Sequence, residues 1–319
     1  MDLTNVSKII VPEGDVSQIS VAGTTVWGGG GGDLDPTTWG GIRNIVRAGK
    51  AQEYFSIGDE INLAKYTSPV NNTTYDMPFI VADFKPVTLQ NGSEVPALTL
   101  LSKYTLDVAM ALSPTGDIDG TSYGGGYSRW DWDIPRQWLN ASGNNWFINH
   151  FENSSDVSQY TNHQGFLSCI SSDLAEVLTP TKVNTFLGPT EEGSITTYDK
   201  FFTLSLEQYY LWNFVQYPNT PETLEEQEAM CVGEGGILEY FKQAWLATGA
   251  TTMRISGSIN LTEELGARID GYNKTPPECW MRSPSSSHTN HKTTGSSGTG
   301  YANRGPSVAL YMRPATVIC

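Results

Sequence analysis

Basic residues are scarce in this chain. Nineteen Lys and Arg stand against 34 Asp and Glu, a formal net charge of −15. That balance excludes non-specific nucleic-acid binding, which needs clustered cations for phosphates, and adhesion to anionic lipid. Long apolar runs are absent too: no stretch approaches the roughly 18 residues a transmembrane helix needs, so no membrane insertion is expected. The opening "MDLTNVSKIIVPEGD" lacks the basic and apolar regions of a secretory signal, so the chain is expected to be made in a cytoplasm. The sequons at Asn71, Asn91, Asn140, Asn153 and Asn260 then reflect a Ser/Thr-rich composition. The four cysteines, Cys169, Cys231, Cys279 and Cys319, are far apart with no C-x-x-C. Neither a zinc ribbon nor a disulfide scaffold fits them, and buried free thiols are expected. Also missing are a phosphate loop ending in G-K-[ST], a G-x-G-x-x-G opening a helix, and a G-x-S-x-G elbow. No cofactor is expected.

Aromatic side chains are plentiful, with nine Trp, fifteen Tyr and eleven Phe in 319 residues. They suit a large core and, in places, a binding face. Residues 1–27 read as a small β-rich attachment and oligomerisation module, "VSKIIVPEG" and "VSQISVAGTTVW", too short to be stable without a partner surface. Five consecutive glycines, Gly28–Gly32, open a linker over 28–34. Residues 35–319 form the body. Thr38 is placed to cap a helix from about Trp39 to Ala48 with Ile42, Ile45 and Val46 on one face, ended by Gly49. "FSIGDEINL", "MPFIVADFKPVTL" and "ALTLLSKYTL" read as antiparallel strands. "SRWDWDIPRQWLNA" reads as a turn entering a short helix with Ile134, Trp138 and Leu139 inward. "GFLSCISSDLAEVLTPTKVNTF" reads as helix then strand, and "YDKFFTLSLEQYYLWNF" as strand then helix. Strands and helices mix without βαβ alternation, so the fold class is α+β.

One segment resists that pattern. "PSSSHTNHKTTGSSGTGYANRGP", Pro284–Pro306, is polar and reads by composition as a disordered linker, yet it lies between the apolar "ECWMRS" and "SVALYMRPATVIC". His288 and His291 make an H-T-N-H without a helix or a local acid, which is a surface loop rather than a zinc pair. Asp117, Asp119, Asp131 and Asp133 gather oxygen donors of the kind Ca²⁺ takes, but without a full calcium-loop pattern they read as a solvated turn. "GEGG" is a weak phosphate-loop signal. The polar run has the hydrogen-bonding composition of recognition loops, with Trp280 and Tyr301 as anchors at its borders.

Five segments in order carry a resemblance over residues 35–319: "WGGIRNIVRAGKAQEYFSIGDEI", "RWDWDIPRQWLN", "GFLSCISSDLAEVL", "TTYDKFFTLSLEQYY" and "CWMRSP…ALYMRPATVI". Together they resemble a domain-of-unknown-function family of prophages and gut bacteria. Its marks are an R-x-W-L-N segment, a W-x-R-S-P and a closing R-P-A. That family looks related to the C-type-lectin-like fold shared by formylglycine-generating enzymes and phage tropism determinants diversified by retroelements. Residues 1–27 are similar to short modules of phage tail and baseplate proteins.

The resemblance implies a virion receptor-binding or tail-tip display protein, a homotrimer attached to other virion proteins through 1–27 and recognising a bacterial cell-surface protein or glycan. The ligand-contacting set it implies is Trp280, Arg282, Ser285, Ser286, Ser287, His288, Thr289, Asn290, His291, Lys292, Thr293, Thr294, Ser297, Tyr301, Asn303 and Arg304. The flanks, Trp280 and Arg282 on one side and Met312, Arg313 and Pro314 on the other, are expected to be held by the core. Relatives often carry Asn-rich variable runs, whereas this run is Ser/Thr-rich. A virion decoration protein and an enzyme of the formylglycine-generating or a glycan-modifying type are the alternatives. The paired cysteines of the enzymes find no match in Cys231, Cys279 or Cys319, and no catalytic activity is expected.

Overall fold

A computed structural model describes residues 19–21, 24–27, 33–113, 116–118, 121–123, 129–144, 146, 163–187, 193–209, 223–247, 267–271, 277–284, 291–294, 301–304 and 307–319. The first described elements are an antiparallel pair, β1 (Ile19–Val21) and β2 (Thr24–Trp27). Helices α1 (Trp39–Arg47) and α2 (Ala51–Tyr54) follow. Next come β3 (Glu60–Ile61), the hairpin β4 (Lys65–Thr67) and β5 (Thr74–Asp76), β6 (Phe79–Asp83), the pair β7 (Val87–Thr88) and β8 (Glu94–Val95), and β9 (Leu98–Ser102). β10 (Ala109–Met110) and the hairpin β11 (Gly116–Ile118) and β12 (Thr121–Tyr123) lead to α3 (Ile134–Leu139), a 3-10 turn at Phe166–Ser168 and α4 (Ser172–Val177). β13 (Thr181–Phe186) pairs with β14 (Ser194–Asp199), and β15 (Phe201–Thr203) follows. α5 (Leu224–Met230) and α6 (Glu239–Leu246) precede β16 (Trp280–Pro284), β17 (His291–Thr294), β18 (Tyr301–Arg304), β19 (Leu310–Tyr311) and β20 (Pro314–Ile318).

The fold is α+β, built on a five-stranded sheet in the order β15-β20-β9-β6-β3. Every pairing in it is antiparallel. β6, β9, β15 and β20 are buried at every position. Their sequences, "FIVAD", "LTLLS", "FFT" and "PATVI", accordingly show no strict apolar–polar alternation, the mark of strands covered on both faces. Helix α1 packs on β20 and α4, α3 on β15, and α6 on β6. Pro314 opens β20, the one place in a central strand where a missing N–H is tolerated.

Helix α1 forms for the reasons visible in its sequence. The Thr38 hydroxyl accepts the Gly41 N–H at 3.1 Å, and Trp39, Ile42, Ile45 and Val46 are buried. Gly49 takes φ +71°, where the Gly49 and Lys50 amides turn back to Val46 and Ile45 carbonyls and end the helix. In α3, Ile134, Trp138 and Leu139 are fully buried, as the periodicity predicts. Phe166 packs edge-on to Phe201 with centroids 4.9 Å apart and lies 5.3 Å from Trp138.

Three expectations change. "FSIGDEINL" supplies only the two-residue β3, and the β4–β5 hairpin was not foreseen. Past β15, Leu206–Tyr209 form a turn, and the helix expected beyond them lies outside the described residues. The polar run is not wholly shapeless. His291–Thr294 and Tyr301–Arg304 pair as β17 and β18, in register His291↔Arg304 to Thr294↔Tyr301, and β17 pairs in turn with β16. Backbone hydrogen bonds, blind to side-chain polarity, order what composition alone leaves open.

Candidate functional site

Strand β16 is where the core meets the polar run. Trp280 is 2% exposed and its Nε1 donates to the Met110 carbonyl at 2.7 Å. Met281, Arg282 and Ser283 are buried as well. Trp280 and Arg282, expected among the ligand contacts, therefore sit beneath the surface: a ring whose N–H is taken by a core carbonyl offers no face to a large partner. Their expected anchoring by the core is what the structure shows. Met312, Arg313 and Pro314 on the far flank are buried, with Arg313 Nε donating to the Ser102 carbonyl at 2.8 Å. Of the other expected contacts, His291, Lys292, Thr293 and Thr294 fall on β17 and Tyr301, Asn303 and Arg304 on β18. Ser285, Ser286, Ser287, His288, Thr289, Asn290 and Ser297 lie outside the described residues. The three strands bring the two halves of the run together, with Lys292 opposite Asn303.

Beneath β16 lies a cluster of buried charge that no motif announced. Glu207 and Glu234 are both 0% exposed, and Arg282 is 1% exposed. Glu207 Oε2 accepts the Glu234 N–H at 2.7 Å. The Glu234 carboxylate accepts the Phe186 N–H at 3.1 Å from β13 and the Ser283 hydroxyl at 2.5 Å from β16. Arg282 fans out over backbone oxygens, to Thr203 at 2.8 Å, Asn184 at 3.3 Å and the Glu234 carbonyl, and reaches Gln208 Oε1. Burial, and after it the Glu207 charge, raises the Glu234 carboxyl to about 7; Arg282, the Ser283 hydroxyl and the Phe186 amide oppose the rise. Burial also lowers Arg282, against the pull of Glu234, Glu207 and Asp199. One guanidinium for two carboxyls is electrically balanced when the pair holds a single proton.

Glu234 belongs to the "GEGG" weighed above as a phosphate loop. Gly235 adopts φ +107° and Gly236 φ +71°, so the glycines turn the chain and the glutamate between Gly233 and Gly235 points inward. Cys231 sits in the same pocket of charge: burial, then Glu207 and Glu234, raise its thiol, so it stays protonated rather than becoming a nucleophilic thiolate. Cys279 is held elsewhere, its sulfur 3.3 Å from Thr105 Oγ1. All four cysteines are free and buried.

The other marks of the sequence are explained by packing. Asp199, 1% exposed, accepts Trp130 Nε1 at 3.1 Å, Arg136 Nε at 2.8 Å and the Thr197 hydroxyl at 2.6 Å. Trp138 Nε1 donates to the Gln164 carbonyl at 2.6 Å. Asn140 Oδ1 accepts the Lys200 and Phe201 amides at 2.7 and 3.1 Å, and its Nδ2 donates to the Phe201 carbonyl at 2.8 Å, which fixes the corner between β14 and β15. R-x-W-L-N is thus a structural clamp. Of the four aspartates weighed for Ca²⁺, Asp131 pairs with Arg129 at 2.9 Å and Asp133 accepts the Arg129 N–H at 3.2 Å. Asp117 lies on β11, and Asp119 is outside the described residues. Among the described residues no group of three potential metal ligands forms, and no helix is long and apolar enough to cross a membrane.

A family model described as "Domain of unknown function (DUF6273)" matches residues 100–318, and the chain belongs to that family. β3, β6 and α1 precede the matched stretch but pack into the same sheet, so the folded body extends further toward the N-terminus than the match. No curated protein and no solved structure matches the chain.

Proposed function

We propose that this member of the DUF6273 family is a phage virion display protein that recognises a bacterial cell-surface protein or glycan through the 284–306 surface of a C-type-lectin-like body. Residues 1–27 attach it to the particle, 28–34 give reach, and three copies assemble so that weak contacts add up to useful avidity. The observation that carries the reading is the contrast along β16. Trp280–Ser283 are locked into the core by the Met110, Leu206 and Glu234 contacts. The next strands pair with β16 and with each other and carry Lys, Thr, Asn, Tyr and Arg. Such an arrangement lets the outer residues vary without disturbing the packing that holds them.

The test is a pull-down of labelled protein on a panel of gut bacteria, comparing the full chain with one in which Ser285–Asn303 is replaced by a short Gly/Ser loop. Selective binding that disappears with the replacement, while the far-UV spectrum and melting are kept, supports recognition. Unchanged adsorption, or none by either protein, moves the reading to a decoration protein. Sedimentation at micromolar concentration tests the assembly, and a monomer there overturns the trimer.

A further inference from the structure

A second region of the molecule has the chemistry of a small-ligand site. Beside the Glu234–Arg282 cluster the chain encloses an open cavity of about 220 Å³ between the β7 corner, β13 and the loop at Gly235. Phe202, Val183, Leu238 and Val317 supply its apolar wall, and Thr88, Thr99 and Thr181 contribute hydroxyl-bearing side chains. Lys85, Lys182 and Arg282 line it against Asp83 and Glu234. In a chain of net charge −15 this is a local excess of positive charge.

The acceptors around the cavity are already used. Asp83 takes the Phe84, Lys85 and Glu239 amides and pairs with Lys85 Nζ at 3.0 Å. Glu234 is occupied by Phe186 and Ser283. The donors are not. Gln208 is 6% exposed; its Oε1 accepts the Ser205 amide and Arg282, while its Nε2 has no partner among the described residues. That nitrogen lies 3.2 Å from where a Cβ on Gly235 would stand, so the absence of a side chain at Gly235 keeps the space before it open. Asn184 accepts from Thr196 through Oδ1 at 2.9 Å and leaves its amide nitrogen over. Lys182 is exposed and has no ion-pair partner among the described residues.

We propose that this cavity binds a hexuronate, a sugar acid whose single carboxylate meets Lys182 and the Gln208 and Asn184 amides while its ring lies against the threonines and the Phe202 wall. One unpaired lysine suits a monoanion better than a phosphate dianion, and the buried Gln208 amide rewards an acceptor that reaches it. None of the residues named at this cavity belongs to 285–303.

Calorimetric titration of the full chain with D-glucuronate at pH 7, with D-glucose, sulfate and inorganic phosphate as comparisons, tests the idea. The same titration on the loop-replaced protein keeps its outcome apart from that of cell recognition. Saturable binding of glucuronate and none of glucose is expected, unchanged by loop replacement. Lys182→Glu and Lys182→Met should each weaken it about tenfold or more, the worth of one charge-assisted hydrogen bond, with melting unaltered because Lys182 is exposed. Methyl β-D-glucuronide separates the two sources of the ligand: binding equal to the free acid points to a residue within a polysaccharide, and loss of binding to the free monosaccharide. No glucuronate binding, equal binding of sulfate or phosphate, or a Lys182→Glu protein that binds as before overturns the proposal.

Discussion

The Ser283 hydroxyl donates to Glu234 Oε2 at 2.5 Å and accepts the Leu206 N–H at 2.9 Å. One small side chain therefore ties β16 to two separate loops, both buried. Ser283→Ala takes a partner from a buried amide and a buried carboxyl at once. A loss of about 1–3 kcal/mol is expected, read as a lower urea midpoint with unchanged slope. A midpoint within error of wild type would show that both groups find other partners.

The Glu234 carboxyl gives the protein a predictable response to pH. Its pKa is raised from 4.5 to about 7 in the folded state, first by burial and then by Glu207. The folded protein thus holds this proton more tightly than the unfolded chain does. The stability it contributes is full below pH 4.5 and is lost as pH rises through about 7. Glu234→Gln removes the titration and keeps one of the two acceptor oxygens, so the Phe186 amide or the Ser283 hydroxyl gives up its bond at every pH alike. Between pH 5 and 8 the wild type should lose more stability than the variant; parallel profiles from urea unfolding would contradict the assignment.

Arg282 is a cation buried in this cluster, and its bonds go to Asn184, Thr203, Gln208 and Glu234. Arg282→Met leaves those oxygens unmatched beside two carboxyls and should destabilise by about 3–5 kcal/mol. Arg282→Lys restores the charge but not the planar fork and should recover only part of the loss. Denaturant midpoints decide the order. A fully stable Arg282→Lys protein would mean that charge alone suffices.

Asn140 closes the corner between β14 and β15 by accepting two amides and donating to the Phe201 carbonyl. Asn140→Asp keeps the acceptor but loses the donor, whereas Asn140→Ala loses both. The Ala variant should cost about 2–3 kcal/mol and the Asp variant less. Thermal unfolding of the pair tests that ranking, and equal losses would place the whole effect in the donor.

Local signals in the sequence led to local structure. Thr38, the Ile42–Ile45–Val46 stripe and Gly49 were sufficient for α1, and Ile134, Trp138 and Leu139 for the inward side of α3. The pairing of β17 with β18 was not legible, because a Ser/Thr/Gly composition has no apolar face whose period could set a register. Glu207 and Glu234 were hidden for another reason. They lie 27 residues apart, joined by no spacing rule, and meet only when the 204–209 turn and the Gly235 bend are folded against β16. What each gave away was modest: a glutamate inside the apolar "FTLSLEQYY", and one embedded among glycines.

β20 lies inside the central sheet, between β15 and β9, yet its Ile318 pairs with Leu98 and the supporting Arg313–Ser102 bond spans 211 residues. During synthesis, β9 can pair with β6 early, but its other edge must wait for β20 while most of the chain is still being made. Closing so long a loop is slow and leaves sticky edges open to other chains in the meantime. Refolding from urea should show a slow phase whose yield falls as protein concentration rises, and a holding chaperone should restore it. A centre completed so late makes the body cooperative once formed and vulnerable until then.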